Sequence, residues 1–300
     1  MTASEPRSMW LEELRDLLRG ASGGFLFGIP LLYTVEVWSI GSSIQSVRLL
    51  AVLGTTFIVV LLLTEVQGFR RTPNLRPIEA VMESIEALSL GVVCAAIALV
   101  LLRRITLTTP LSETLGKLIF EAVPFAIGVA LARSTLSWER SPSNVSLSER
   151  STHRRRPEQT PFTAFTPFSL RDTLIDLDAT LLGAVIIAFS IAPTEEIPLL
   201  ASAIPPLWLL LIMGASLLLS YAIVFASGFT DRTERQQRGL LLSPVTETLV
   251  AYLVALLAST VMLVFFQQLT LTDPWQEWLG DVIVLGLPAS VGGAAGRILI

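Results

Sequence analysis

Residues 105–133 read ITLTTPLSETLGKLIFEAVPFAIGVALAR, and residues 269–297 read LTLTDPWQEWLGDVIVLGLPASVGGAAGR. At a constant offset of 164, twelve of these 29 positions are identical, where average residue usage would give about two. The matches include Thr106/Thr270, Pro110/Pro274, Glu113/Glu277, Gly116/Gly280, Pro124/Pro288, Gly128/Gly292 and Arg133/Arg297. The same offset pairs Glu83 with Glu247 and Ala87 with Ala251. Nearer the N-terminus the offset is 160 and the matches are sparser: Gly23/Gly183, Thr34/Thr194, Glu36/Glu196, Gly54/Gly214 and Gly68-Phe69/Gly228-Phe229. Matches that keep their order along the chain are the mark of an internal duplication.

What was duplicated follows from composition. Charged residues are 15% of the 300 and hydrophobic residues 52%, against roughly 25% charged in a soluble domain. The mean hydropathy is +0.67. Apolar runs of about 20 residues can cross a ~30 Å hydrocarbon core as helices. Eight are expected, at 20–40, 48–67, 78–102, 115–134, 178–199, 205–228, 244–267 and 278–299. The fold class is therefore all-α and polytopic, with about eight transmembrane helices as two four-helix repeats. Four is even, so both repeats start on the same side, as parallel repeats with a pseudo-twofold along the membrane normal. The division reads 1–19 as an N-terminal segment, 20–134 as the first repeat, 135–170 as a polar linker and 171–300 as the second repeat. The first nineteen residues carry too many charges for a cleavable signal.

Twenty Arg and a single Lys make up the basic residues. With the N-terminus inside, seventeen Arg fall on inner segments, and only Arg48, Arg103, Arg104 and Lys117 fall on outer ones. That bias places both termini in the cytoplasm. Trp38, Trp208, Trp275 and Trp278 then mark outer span ends, and Trp10 and Trp138 inner ones, the headgroup level that aromatic rings favour. Residues 135–170 are rich in Ser, Thr, Pro and Arg and include the run His153-Arg154-Arg155-Arg156. They are expected to form a mostly disordered cytoplasmic connector. The other reading is contact with anionic lipid or a partner, with Phe162, Phe165 and Phe168 resting on the interface.

Against so apolar a background, acidic residues inside spans stand out, because each needs a partner, water or a cation. Glu36 and its repeat mate Glu196, with Glu195, follow prolines: Pro30 in one repeat and Pro193 in the other. Proline frees a carbonyl one turn earlier, and a broken helix beside a carboxylate suits a cation. Glu121 lies at similar depth, but its repeat mate is Leu285. The competing reading places these carboxylates at the outer headgroups. A second group is Glu83, Glu247, Arg133 and Arg297, expected as the pairs Glu83–Arg133 and Glu247–Arg297 that fix helix ends, or as an inner gate. Glu79, Glu83 and Glu86 share a helix face. Gly292–Gly296 and Gly128–Ala132 are small-xxx-small patterns for close packing. Pro30, Pro193, Pro124 and Pro288 are candidate hinges.

Several classes are excluded or unsupported. Cys94 and His153 are the only residues of their types, which leaves no disulfide framework and no Cys/His metal site. A net charge of −4 gives no reason to expect nucleic acid. HExxH, P-loop and GxSxG motifs are absent, so neither an enzyme nor a cofactor is expected. GIPLLYTVEVW at 28–38, APTEEIPLLA at 192–201 and LGLPASVGGAAGRIL at 285–299 together resemble an uncharacterised bacterial family of integral membrane proteins. The resemblance covers nearly the whole chain and implies a bacterial inner membrane, with no assigned function or residues. The expected partners are membrane lipid and a small cation or proton, with a homo-oligomer left open. The leading expectation is a cation transporter or channel with a carboxylate site between the repeats. The alternatives are a scaffold or signalling protein acting through its linker and, third, a lipid-handling protein.

Overall fold

The computed structural model of the chain describes residues 6–69, 77–136, 168–226 and 243–299. Among the described residues there is no strand. In chain order the helices are α1 (Pro6–Leu32), α2 (Val35–Ser43), α3 (Ser46–Phe69), α4 (Pro77–Leu101), α5 (Leu111–Leu136), α6 (Phe168–Ile191), α7 (Glu196–Ser202), α8 (Pro206–Tyr221), α9 (Pro244–Phe265) and α10 (Trp275–Leu299). A π-helical turn, Ala222–Ala226, extends α8. Seven helices are long and apolar enough to cross a membrane, and there are eight spans if α1 and α2 count as one bent span. The all-α, seven-to-eight-span architecture agrees with the expectation of an all-helical, polytopic membrane protein. Helix takes both edges of the stretch read as a linker, since α5 runs to Leu136 and α6 begins at Phe168. The remainder of that stretch, 137–167, with His153, Phe162 and Phe165, lies outside the described residues.

Two of the expected spans are broken. The first, expected at 20–40, stops at Leu32, and α2 leaves at 88° to α1. Thr34 between them is extended (φ −93°, ψ 105°). Pro30, two residues before the end of α1, lacks the N–H that would bond the Leu26 carbonyl and weakens the helix there. The fifth span, expected at 178–199, ends at Ile191. The backbone before a proline avoids the α region, and Pro193 places the turn there. The Ile191 carbonyl accepts from both the Thr194 N–H (3.1 Å) and the Thr194 hydroxyl (2.6 Å), which closes the turn. The chain then resumes as the short α7. By contrast, α5 and α10 run on through Pro124 and Pro288.

In each half the last helix is the hub: α5 packs on α1, α2, α3 and α4, and α10 packs on α6, α7, α8 and α9. Glycine allows the closest of these contacts. A Cβ on Gly23 would strike the Gly128 carbonyl and one on Gly128 would strike the Gly23 carbonyl; Gly183 and Gly292 meet in the same way. Without a hydrophobic drive between helices in lipid, such backbone approach is a main source of packing energy. At the other extreme, only 11% of the apolar window of α3 is buried, as fits a helix whose flanks face lipid.

The two loops that enter the hubs also fold alike. Arg103 (φ 55°) and Gln267 (φ 60°) each take the left-handed conformation that ends the preceding helix. Arg104 N–H then donates to Leu99 O (2.8 Å) and Gln268 N–H to Leu263 O (2.9 Å), closing the helix in a Schellman motif. Next, Thr106 N–H donates to Thr109 Oγ1 (3.0 Å) and Thr270 N–H to Asp273 Oδ2 (2.7 Å). Each of these pairs is separated by 164 residues. The halves are joined by Tyr33 Oη donating to Val284 O (2.7 Å) and Trp208 Nε1 donating to Leu101 O (2.7 Å). One hydrophobic core runs through both, from Ile29 and Leu99 to Ile212 and Val284.

Candidate functional site

Residues four apart on a helix lie one above the other, and four residues rise about 6 Å. On α5 this spacing aligns Glu113, Lys117 and Glu121. Burial deepens along the row. The Glu113 side chain is 32% exposed, Lys117 is 9% exposed and Glu121 is fully enclosed. Lys117 Nζ donates to Glu113 Oε1 at 2.5 Å and to the Arg104 carbonyl at 3.1 Å. Neither Glu121 oxygen has a hydrogen-bond partner. A buried polar group in that state is costly, and native structures contain few of them.

A tight crossing of α2 over α5 covers the outer part of this row. Gly41 on α2 meets Gly116 backbone to backbone, which lays α2 across α5 just where Lys117 follows. Trp38, one turn earlier on α2, is buried and donates from Nε1 to Leu32 O at 3.2 Å. The Arg104 guanidinium stacks 4.3 Å from the Trp38 ring. Its Nε and Nη2 are buried without an acceptor, and burial pulls this guanidinium below its usual range. One end of the first half therefore holds a cation over an aromatic ring, a buried lysine and, deeper, a lone acid.

The other expected acids lie apart from Glu121. Glu36, in the first turn of α2, and Glu195, before α7, are exposed. Glu196 is half-buried, with Oε2 enclosed and unpartnered. No hydrogen bond or ion pair joins Glu36, Glu121, Glu195 and Glu196. Among the described residues, no three His, Cys, Asp or Glu side chains converge on a metal-sized site. Pro30 lines a cavity of about 340 Å³ between α1, α6 and α10, with Leu26, Gly183, Ile187, Gly292 and Gly296 among its walls. It is apolar, and none of the four acids lines it. Pro193 is exposed in the turn between α6 and α7.

The ion pairs at the opposite end differ between the halves. Arg297, 2% exposed, pairs with Glu247 and lies 5.6 Å from the Phe225 ring. Arg133 pairs with Glu86 at 2.7 Å, not with Glu83, which is exposed. The expected Glu83–Arg133 pair is corrected accordingly. A helical side chain leans toward its own N-terminus, so Arg133 reaches back along α5, toward the deeper Glu86 on α4. In the second half Val250 occupies the place of Glu86, leaving Glu247 as the acid within reach.

Sequence reasoning missed Lys117. The signals were available: it is the only lysine in the chain, and it stands midway in an i, i+4, i+8 row of charges. It also missed Asp281, the repeat mate of Lys117, which is 6% exposed. No curated protein and no solved structure matches this chain. Residues 16–300 match the family described as "Putative integral membrane protein (DUF2391)", and the chain belongs to that family of integral membrane proteins.

Proposed function

We propose that this protein is a transporter or channel for a small cation, the proton included, and that Glu121 is the carboxylate the cation meets inside the membrane. The observation that carries this reading is a fully buried glutamate, on a membrane-spanning hub helix, whose two oxygens have no partner. A bundle selected for stability alone would hold an apolar residue there, as the second half does with Leu285. Arginine placement sets the direction: the loop at 102–110 faces outward and Arg133 and Arg297 face the cytoplasm. Glu36, Glu195 and the half-buried Glu196 then stand near the outer mouth. The Glu86–Arg133 and Glu247–Arg297 pairs close the inner end. Cation flux into proteoliposomes tests the reading. Flux should vanish in Glu121→Gln and fall only partly in Glu36→Gln or Glu196→Gln. Unchanged flux in Glu121→Gln would sink the assignment.

A second reading rests on the apolar cavity between α1, α6 and α10. In a bilayer a space of that character takes a lipid chain, and the protein would then handle lipid. Native mass spectrometry of Ala295→Leu, which fills the cavity that Ala295 lines, against the unsubstituted protein tests it, with loss of a bound lipid as the supporting result.

A further inference from the structure

The transported cation can be narrowed by chemistry. A metal ion stripped of water needs several oxygen ligands, about six for calcium. Glu121 offers two oxygens, no second acid joins it, and among the described residues no three His, Cys, Asp or Glu side chains cluster. A proton needs only the carboxylate. It also needs a way in, and α5 supplies titratable groups at intervals of one turn: Glu113 at the rim, Lys117 nearly enclosed and Glu121 enclosed. Lysine is the basic residue suited to such a step, because its ammonium can give up a proton whereas arginine stays charged. The chain has twenty arginines and places its one lysine here.

We infer that Glu113, Lys117 and Glu121 form a proton relay from the outer face to the membrane interior, with the cation reading above as its premise. Lys117 Nζ now rests on Glu113 and the Arg104 carbonyl. A rotamer change swings it one turn inward, toward the Glu121 carboxylate. The ammonium passes one proton to that carboxylate, leaving a neutral amine and a neutral acid. The amine swings back and regains a proton from water at the rim, directly or through Glu113 once that carboxylate has itself taken up a proton from water. The transfer neutralises the buried carboxylate, so the protonated state holds no charge in the interior. On the elements packed against α5 the charged groups include Arg19 on α1, Glu36 on α2, Arg48 and Glu65 on α3, and Glu79, Glu83 and Glu86 on α4. None of them bonds to Glu121. The second half has no equivalent, because its row runs Glu277, Asp281, Leu285: the middle group is an acid and the last is apolar.

The test uses the full chain in proteoliposomes loaded with a pH-sensitive dye, with sodium and rubidium tracers in parallel. The protein should carry protons, Glu121→Gln should carry none, and Lys117→Met should slow entry by roughly 100-fold, the low end of what a positioned acid–base group contributes. Lys117→Arg is the decisive arm. It keeps the charge, the reach and the Glu113 pair, so a merely structural lysine would be rescued, whereas a relay stays slow. Wild-type proton entry in Lys117→Arg overturns the relay. Sodium or rubidium flux that depends on Glu121, without proton entry, overturns the relay and leaves the transport reading standing. No flux of any ion overturns both. A measurement on the unsubstituted protein avoids any folding defect in the variants. Infrared spectra should show a carboxylic-acid band that shifts in heavy water, is lost as pH rises and is absent in Glu121→Gln. A carboxyl that never exchanges overturns the relay.

Discussion

The two hub helices, α5 and α10, share their entry loops, glycine contacts and proline positions, yet they carry opposite polarity patterns. At equivalent depths α5 has Glu113, Lys117 and Glu121, whereas α10 has Glu277, Asp281 and Leu285. At the other end the pattern reverses. The Arg297–Glu247 pair is buried, and the Arg133–Glu86 pair is largely open, with Glu86 56% exposed. Of the apolar window, 78% is buried in α10 and 56% in α5. The comparison teaches that backbone approach and loop geometry can be kept twice while the side chains differ: α10 is the more buried helix and holds its enclosed ion pair at one end, and α5 holds a buried lysine and an unpartnered acid at the other.

Substitutions can break or sharpen that contrast. The largest effect is expected at the enclosed ion pair of α10. Glu247→Ala leaves the enclosed Arg297 without its carboxylate and should cost about 3 kcal/mol of stability, since removing one partner strands a buried charge. Thermal unfolding in detergent checks it. Next, Gly23→Val and Gly183→Val push a side chain into the facing glycine carbonyl. Each should cost about 2 kcal/mol by overpacking, and similar losses at both positions would show that the two contacts are equivalent. Glu121→Leu copies the second half and should raise stability by about 1–2 kcal/mol, because it removes an unpaired polar group from the interior, while abolishing flux. The reciprocal Leu285→Glu should destabilise by a similar amount. A destabilised Glu121→Leu would mean that the carboxyl has a structural partner. The smallest effect belongs to Glu86→Gln, expected to change stability by about 0.5 kcal/mol, as an exposed pair should. A loss there equal to that of Glu247→Ala would erase the contrast.

Much of this was legible beforehand, for identifiable reasons. Span length and hydropathy respond to a bilayer of fixed thickness, so seven of the eight expected spans were found. The small-xxx-small patterns responded to helix approach and became the Gly23–Gly128 and Gly183–Gly292 contacts. The site was harder to read. Glu36, Glu195, Glu196 and Glu121 are alike in sequence as acids in apolar surroundings. Which of them is enclosed depends on where α1 breaks and how α2 turns at 88°. Prolines warned of a break without giving its angle. Pairing at the ends of α4 and α5 had the same difficulty, because Glu83 and Glu86 share a face, and the lean of the Arg133 side chain selects between them.

The sequence by itself determined that the chain is helical, membrane-embedded and internally matched at a 164-residue offset, because these properties follow from composition, run length and identity. Only the tertiary structure decided that Glu121 is sealed and unpartnered, that Glu36 is exposed, and that the single lysine lies between solvent and a buried acid. Burial is a relation between segments far apart in the chain. Here α2 is laid on α5 by the close backbone contact of Gly41 with Gly116, and Trp38 of α2 sits beneath Arg104; neither contact is encoded by any single segment.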